Sequence, residues 1–318
     1  LTCFLSHLFP SLCLQQDMVT LLTSQPMYAL LVLLLLCFQV SARSLRAEHS
    51  FMCSPTFKKR MTYLDEIIAK DFPDFRAKLN DTLLMPSSKG IKSRHINRLM
   101  QSFMSENVST LMFFGGSMLA GRNCQEFDEA SHLCAYPNRV RKMIQLLLHR
   151  DLPNDDESVY EDILQVNKQG IQSHTRNRIK MQNLAQGGTN TQSTLPLLPL
   201  ILKKSEKPSA IFMDFSANDH TMDPLVLSGI IETTIRLFRS HLPDVPIFFV
   251  EVNPARKYDD KAEFKLKLAR YYDVPVISYR GVLGADKTNS TYWQGPHGPF
   301  RVCSFLLVSS FFIRTPFL

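Results

Sequence analysis

The spacing of apolar residues changes character near residue 110. Before that point, Met61–Lys70 and Ile96–Met104 carry apolar residues at helical spacing. Pro86-Ser87-Ser88-Lys89-Gly90 breaks the chain between them, and residues 43–109 contain no strand-like run. This pattern predicts a helical extension packed on the main domain, with Met100, Phe103 and Met104 as core contacts. Beyond it, short apolar runs predict strands at Thr110–Phe114, Ile179–Leu184, Ala210–Phe215, Val245–Val252 and Val274–Ser278. Amphipathic helices are predicted at Pro137–His149, Thr194–Lys203, Leu225–His241 and Lys261–Tyr272. Pro137 suits a first helical turn, where its missing N–H is not needed. Strands alternating with helices imply parallel β-α units with right-handed crossovers. The predicted fold is α/β, a three-layer α/β/α sandwich around a central parallel sheet of about five strands.

The ends of the chain read differently. Leu30–Val40 is an apolar stretch of eleven residues that follows Met27 and leads into Val40-Ser41-Ala42. That is the pattern of a secretory signal peptide, over residues 27–42, and it falls short of the roughly 20 residues of a membrane span. Cleavage would leave no stable membrane span; an uncleaved segment would anchor the chain to a membrane. Residues 1–26 are expected to be a non-native leader. Residues 301–318 form an apolar tail without an acidic residue, also expected to be non-native. In a secreted chain Asn80, Asn107 and Asn289 are candidate N-glycosylation sites, and Cys124 and Cys134 a candidate local disulfide.

Composition narrows the function classes. With 318 residues, 45% hydrophobic and 20% charged, the chain can bury a sizeable core. Its net charge of +7 is scattered, apart from short groups such as Lys58-Lys59-Arg60, and no nucleic-acid module accompanies it. Asp155-Asp156 lie in an acidic loop read as solvated. The cysteines lack structural zinc spacing, and neither a GxxxxGK[ST] nor a helix-opening GxGxxG is present. No cofactor or metal is expected.

Three polar loops follow three predicted strands, at the edge where parallel sheets place their sites. The first presents Ser117 after Gly115-Gly116, a candidate nucleophile. The second presents Gly187-Gly188-Thr189-Asn190, where glycine lets a bare backbone N–H approach a substrate. The third presents Ser216-Ala217-Asn218-Asp219-His220, where the Asn218 amide can donate to the same oxygen. Ser117 does not stand in GxSxG, which excludes the α/β-hydrolase elbow.

These blocks resemble the SGNH (GDSL-type) hydrolase superfamily over roughly residues 108–300. The first block is Phe114-Gly115-Gly116-Ser117, with Tyr136-Pro137-Asn138-Arg139 downstream. The second is Asn183-Leu184-Ala185-Gln186-Gly187-Gly188-Thr189, and the third Ser216-Ala217-Asn218-Asp219. The resemblance implies a flavodoxin-like fold over 110–300 and a serine esterase, which the signal pattern of residues 27–42 would make secreted. Ser117 would be nucleophile and oxyanion donor, Gly188 and Asn218 the other donors, and His297 the base. It departs from the family at Gly116, where the family carries Asp, and at Gln294, where the family carries the Asp that orients the histidine. Asp286 is the nearest upstream acid. The implied partner is a small-molecule, glycan or lipid ester. The alternatives are a catalytically impaired binding protein of the same fold, and an O-acyltransferase using the same serine.

Overall fold

Strand β2, Ser109–Gly115 (STLMFFG), is buried along its whole length. Such a run, apolar on both faces, belongs in a parallel sheet covered on both sides. The computed structural model describes residues 54–71, 83–84, 94–104, 108–121, 135–148, 179–251 and 259–278. The chain divides into two units, Leu1–Ser54 and Pro55–Leu318, and every element below belongs to the second.

The sheet has six strands, ordered β1-β6-β5-β4-β2-β3. These are β1 Leu83–Leu84, β3 Ile179–Asn183, β4 Ala210–Asp214, β5 Ile247–Glu251 and β6 Val276–Ser278, besides β2. The five from β6 to β3 are parallel neighbours, as expected. The sixth, β1, pairs antiparallel with β6 through Leu83↔Ile277 and Leu84↔Val276. It corrects the reading of residues 43–109 as free of strand: two paired residues leave no run to detect. The chain passes from β2 outward to β3, then returns to β4 on the other side of β2. This doubly wound order reverses direction between β2 and β4, where no crossover closes the carboxyl edge and ligands of such sheets bind.

Helices α1 Pro55–Asp71 and α2 Arg94–Met104 occupy the segment read as a helical extension. Buried Arg60 on α1 donates through Nη1 to Leu146 O at 3.0 Å. Leu146 lies in the last turn of α3 Tyr136–Leu148, where a cation also meets the helix dipole. α2 is held by His95 Nε2 to Asp273 Oδ2 at 3.1 Å and by Arg98 Nη2 to Asp244 Oδ1 at 3.2 Å. Between β3 and β4 a single helix was expected over Thr194–Lys203. Instead the chain forms α4 Thr191–Thr194, a 3₁₀ turn Leu195–Leu197 and α5 Leu198–Lys204. Pro196 and Pro199, which lack an N–H, each fall at the start of a new segment. A one-turn α6 Ser216–Asp219, then α7 Pro224–His241 and α8 Asp259–Tyr271 complete the set.

Alternation along the strands sorts the core into two layers. Met112, Phe114, Ile211, Met213, Ile247 and Phe249 join Ile231, Ile235 and Phe238 of α7 and Ala269 of α8. On the opposite face Phe113, Phe212 and Phe248 stack across three adjacent strands. Their centroids are 4.6 and 5.1 Å apart, with ring planes within 15°. Tyr136 of α3 meets Phe113 edge-on at 6.2 Å. Among the described residues no helix is long and apolar enough to cross a membrane.

Candidate active site

The first polar loop leaves the carboxyl end of β2 as a tight turn. Gly116 N donates to Asp214 O at 3.2 Å, and Ala120 N to Gly116 O at 3.1 Å. Asn183 Nδ2 holds the far side of the turn through Leu119 O at 2.9 Å. Ser117 is half-buried, and its hydroxyl has no hydrogen-bond partner among the described residues.

The second loop is stitched to the first. Gln186 N donates to Gly115 O at 3.1 Å, and Thr189 Oγ1 lies 3.1 Å from the same oxygen and 2.7 Å from Gln186 O. Gly188 is exposed with φ +82°, a conformation that favours glycine, and a Cβ there would meet nothing within 4 Å. Asn190 caps α4 reciprocally: its Oδ1 accepts from Ser193 N at 2.9 Å, and its N–H donates to Ser193 Oγ at 3.0 Å. Its side chain is therefore committed to local structure.

The third loop closes on the first at Gly116. A Cβ on Gly116 would lie 2.2 Å from Asn218 Oδ1, 2.9 Å from Asn218 Cγ and 3.1 Å from Thr189 O. One point beside Ser117 thus touches both other loops. The same contacts account for glycine at this position, because no side chain fits there with Asn218 in this place. Gly115 is equally constrained, since its Cβ would lie 2.4 Å from Asp214 O. The structure brings together Ser117, the Gly187–Asn190 loop and Asn218.

Beneath these loops lies a buried charged cluster that the motif reading passed over. Asp214 ends β4, and its Oδ2 accepts from Tyr136 Oη at 2.8 Å. Burial pushes its carboxyl up to about 7, against the Tyr136 hydrogen bond and the Lys265 charge. Asp219 accepts from Thr191 N at 2.9 Å and Thr191 Oγ1 at 2.7 Å, clasping the third loop to α4. Burial raises its pKa too, opposed first by Lys265. Lys265 of α8 pairs with Glu251 of β5 at 2.5 Å, with both side chains 5% exposed or less. Burial alone would lower the Lys265 pKa; Glu251, Asp219 and Asp214 carry it above its ordinary value. An acid ending each of the apolar strands AIFMD and IFFVE is a legible signal for this cluster. Lys265, within an alternating helix sequence, reads as a surface residue.

Adjacent Asp219 and His220 do not form a dyad. Asp219 is engaged by Thr191, while exposed His220 uses Nδ1 on Ala217 O at 2.7 Å; a carbonyl only accepts, so Nδ1 carries the proton. His297, Gln294 and Asp286 lie outside the described residues. So do the signal segment 27–42, Cys124, Cys134, the Asp155-Asp156 loop, the sequons at Asn80, Asn107 and Asn289, and the 301–318 tail. Among the described residues no group of His, Cys, Asp and Glu is arranged to hold a metal.

No family model and no curated protein matches the chain. Similar solved structures include a two-domain esterase active on acetylated mannans, with 14% identity, a TM-score of 0.45, and 69% of this chain and 52% of that one covered. The chain thus spans about half the length of that enzyme. AlinE4, an SGNH-hydrolase family esterase, matches at 14% identity and TM-score 0.39, covering 58% and 83%. TesA matches at 15% identity and TM-score 0.42, covering 66% and 100%. The chain has a doubly wound α/β fold, five parallel strands with one antiparallel edge strand, and its three sequence blocks converge at the carboxyl edge of the sheet.

Proposed function

We propose that the chain is a serine ester hydrolase of the SGNH type. The observation that carries this reading is the contact of Asn218 with Gly116, which sets an amide against the serine turn. Ser117 Oγ attacks the acyl carbon of an ester, and His297 takes its proton. The Ser117 and Gly188 N–H groups and the Asn218 amide receive the charge that develops on the carbonyl oxygen. Collapse of the tetrahedral intermediate expels the alcohol, which regains the proton from His297. Water then attacks the acyl-serine, with His297 again as base, and releases the acid. The substrate is an acyl ester of a carbohydrate, lipid or small molecule.

The test is hydrolysis of p-nitrophenyl acetate by the full chain, together with labelling of Ser117 by a fluorophosphonate. Activity that survives Ser117→Ala refutes the assignment. A non-catalytic binding protein would leave Ser117 unlabelled. An O-acyltransferase would give transfer products when acceptor alcohols are added. We further infer a secretory route from the apolar Leu30–Val40 stretch and the three sequons. Expression in a secretory host followed by glycosidase treatment checks it: a secreted glycoprotein shifts in mobility.

A further inference from the structure

Two separate loops carry the Gly188 and Asn218 donors, so the proposed oxyanion site depends on what joins them. Gly188 is exposed, and nothing lies within 4 Å of the place its Cβ would take. Its position is set from either side. Before it, Gln186 N donates to Gly115 O at 3.1 Å; after it, Thr189 Oγ1 lies 3.1 Å from the same oxygen. Those bonds tie the second loop to the first. The tie to the third is made by Thr191. Its N–H donates to Asp219 Oδ1 at 2.9 Å, and its hydroxyl to Asp219 Oδ2 at 2.7 Å. Thr191 opens α4, where a first N–H has no acceptor inside the helix. On the other side, Asn218 N and Asp219 N both donate to Phe215 O, at 2.9 and 2.8 Å, so the two residues ride on one turn. Consecutive side chains on such a turn diverge: Asn218 meets Gly116, while Asp219 is fully buried against Thr191. Thr191 is buried as well, so a broken bond between the two has no solvent to replace it.

We propose that Asp219 is a positioning residue for the hydrolysis, gripping Thr191 by two hydrogen bonds and so holding the Gly188 N–H and the Asn218 amide in register. The kinetic consequence rests on the ester-hydrolase reading. Both carboxylate oxygens are engaged by Thr191, and Asp219 acts through its chain neighbour Asn218 and through the loop that leads from Gly188 to Thr191. Oxyanion donors work because they are aimed before the charge develops. A shift of one donor against the other therefore lowers turnover while substrate binding is spared. A residue that merely stabilised the fold would lower Tm and leave the turnover of folded protein unchanged.

The experiment compares Thr191→Val, Thr191→Ser and Asp219→Ala in the full chain, by kcat and KM on p-nitrophenyl acetate and by thermal unfolding. Thr191→Val keeps the branched shape and the backbone N–H but removes the hydroxyl donor. A misplacement of about 1 Å lowers turnover by roughly 10²-fold. Thr191→Val should lose up to about that much in kcat, with KM little changed. Thr191→Ser keeps both donors and should restore kcat. Added to Asp219→Ala, Thr191→Val should cost little more, because the bond it breaks is already gone. If Asp219→Ala does not fold, the two variants at Thr191 decide the matter alone. An unchanged kcat in Thr191→Val, with or without a lower Tm, overturns the proposal; so does a Thr191→Ser variant as impaired as Thr191→Val. Nitrogen-15 labelling of glycine and asparagine gives a readout independent of catalysis. The signals of the Gly188 amide and the Asn218 side-chain amide should move in Thr191→Val and return in Thr191→Ser. If the wild type proves inactive while those signals behave as stated, the clasp stands and the hydrolase reading falls. If neither signal moves in Thr191→Val, the clasp falls whatever the activity.

Discussion

Gly116→Ala is the most direct probe of the site's geometry. The added Cβ would lie 2.2 Å from Asn218 Oδ1, whereas ordinary contact begins at 3.4 Å. Asn218 must therefore retreat by about 1.2 Å, the difference between those two distances. The Thr189 carbonyl, a backbone group 3.1 Å from the same Cβ, adds a second close contact. Losing one oxyanion donor costs about 2.7–4 kcal/mol, or on the order of 10²–10³ in kcat. The expected result is a kcat for p-nitrophenyl acetate reduced by roughly 10²-fold, with KM changed far less. Asn218→Ala alone should lose a similar amount. It removes the atoms nearest the new Cβ, so Gly116→Ala should cost little more in that background, and thermal unfolding checks that both proteins are folded. Coupled losses of this kind are the signature of two residues acting as one unit. Wild-type turnover in Gly116→Ala, or losses that simply add, would refute the reasoning.

Other expected outcomes follow from the same geometry. Gly188→Ala places a Cβ in open space at φ +82°, so backbone strain of roughly 1–2 kcal/mol should appear in denaturant unfolding, while kcat changes little because the N–H remains. Phe212→Ala, which opens the middle of the Phe113–Phe212–Phe248 stack, should destabilise the fold by about 3–5 kcal/mol in the same assay. Asp214, pushed up to about 7 from 3.8, holds its proton in the folded state after the unfolded chain has lost it. Its contribution to stability is therefore complete below the unfolded value and lost as pH rises toward 7, at roughly 1.4 kcal/mol per unit. Asp214→Asn should flatten that part of the Tm–pH curve; an unchanged slope would show that Asp214 is not its source.

The parallel strands were legible because burial on both faces writes itself as continuous apolar runs, as in AIFMD and IFFVE. The three loops were legible because Gly, Ser, Thr and Asn cluster where those runs stop. The charged floor was not, since burial of Lys265 depends on how α8 sits over β5, which helical spacing alone does not specify. The apparent Asp219–His220 dyad misleads for a related reason. Neighbours in sequence diverge around a helical turn, and Asp219 meets Thr191, twenty-eight positions away, instead of His220. The break in the Thr194–Lys203 helix was foreshadowed by Pro196 and Pro199, both of which suit new starts better than continuation.

Strands β2 and β4 are direct partners, with Gly115 opposite Asp214. The separation of the serine loop from the asparagine loop is thus set by the peptide ladder, about 4.8 Å between strands, before any side chain contributes. Lengthening the connections on the flanks leaves that spacing alone. Deleting one residue within Ala210–Asp214 does not: it would withdraw Asn218 by about 3.3 Å and turn Phe212 out of its aromatic stack to the opposite layer. Tolerance to insertion and deletion should therefore be sharply uneven along this chain, lowest over the few residues of β2 and β4 that carry no chemistry themselves.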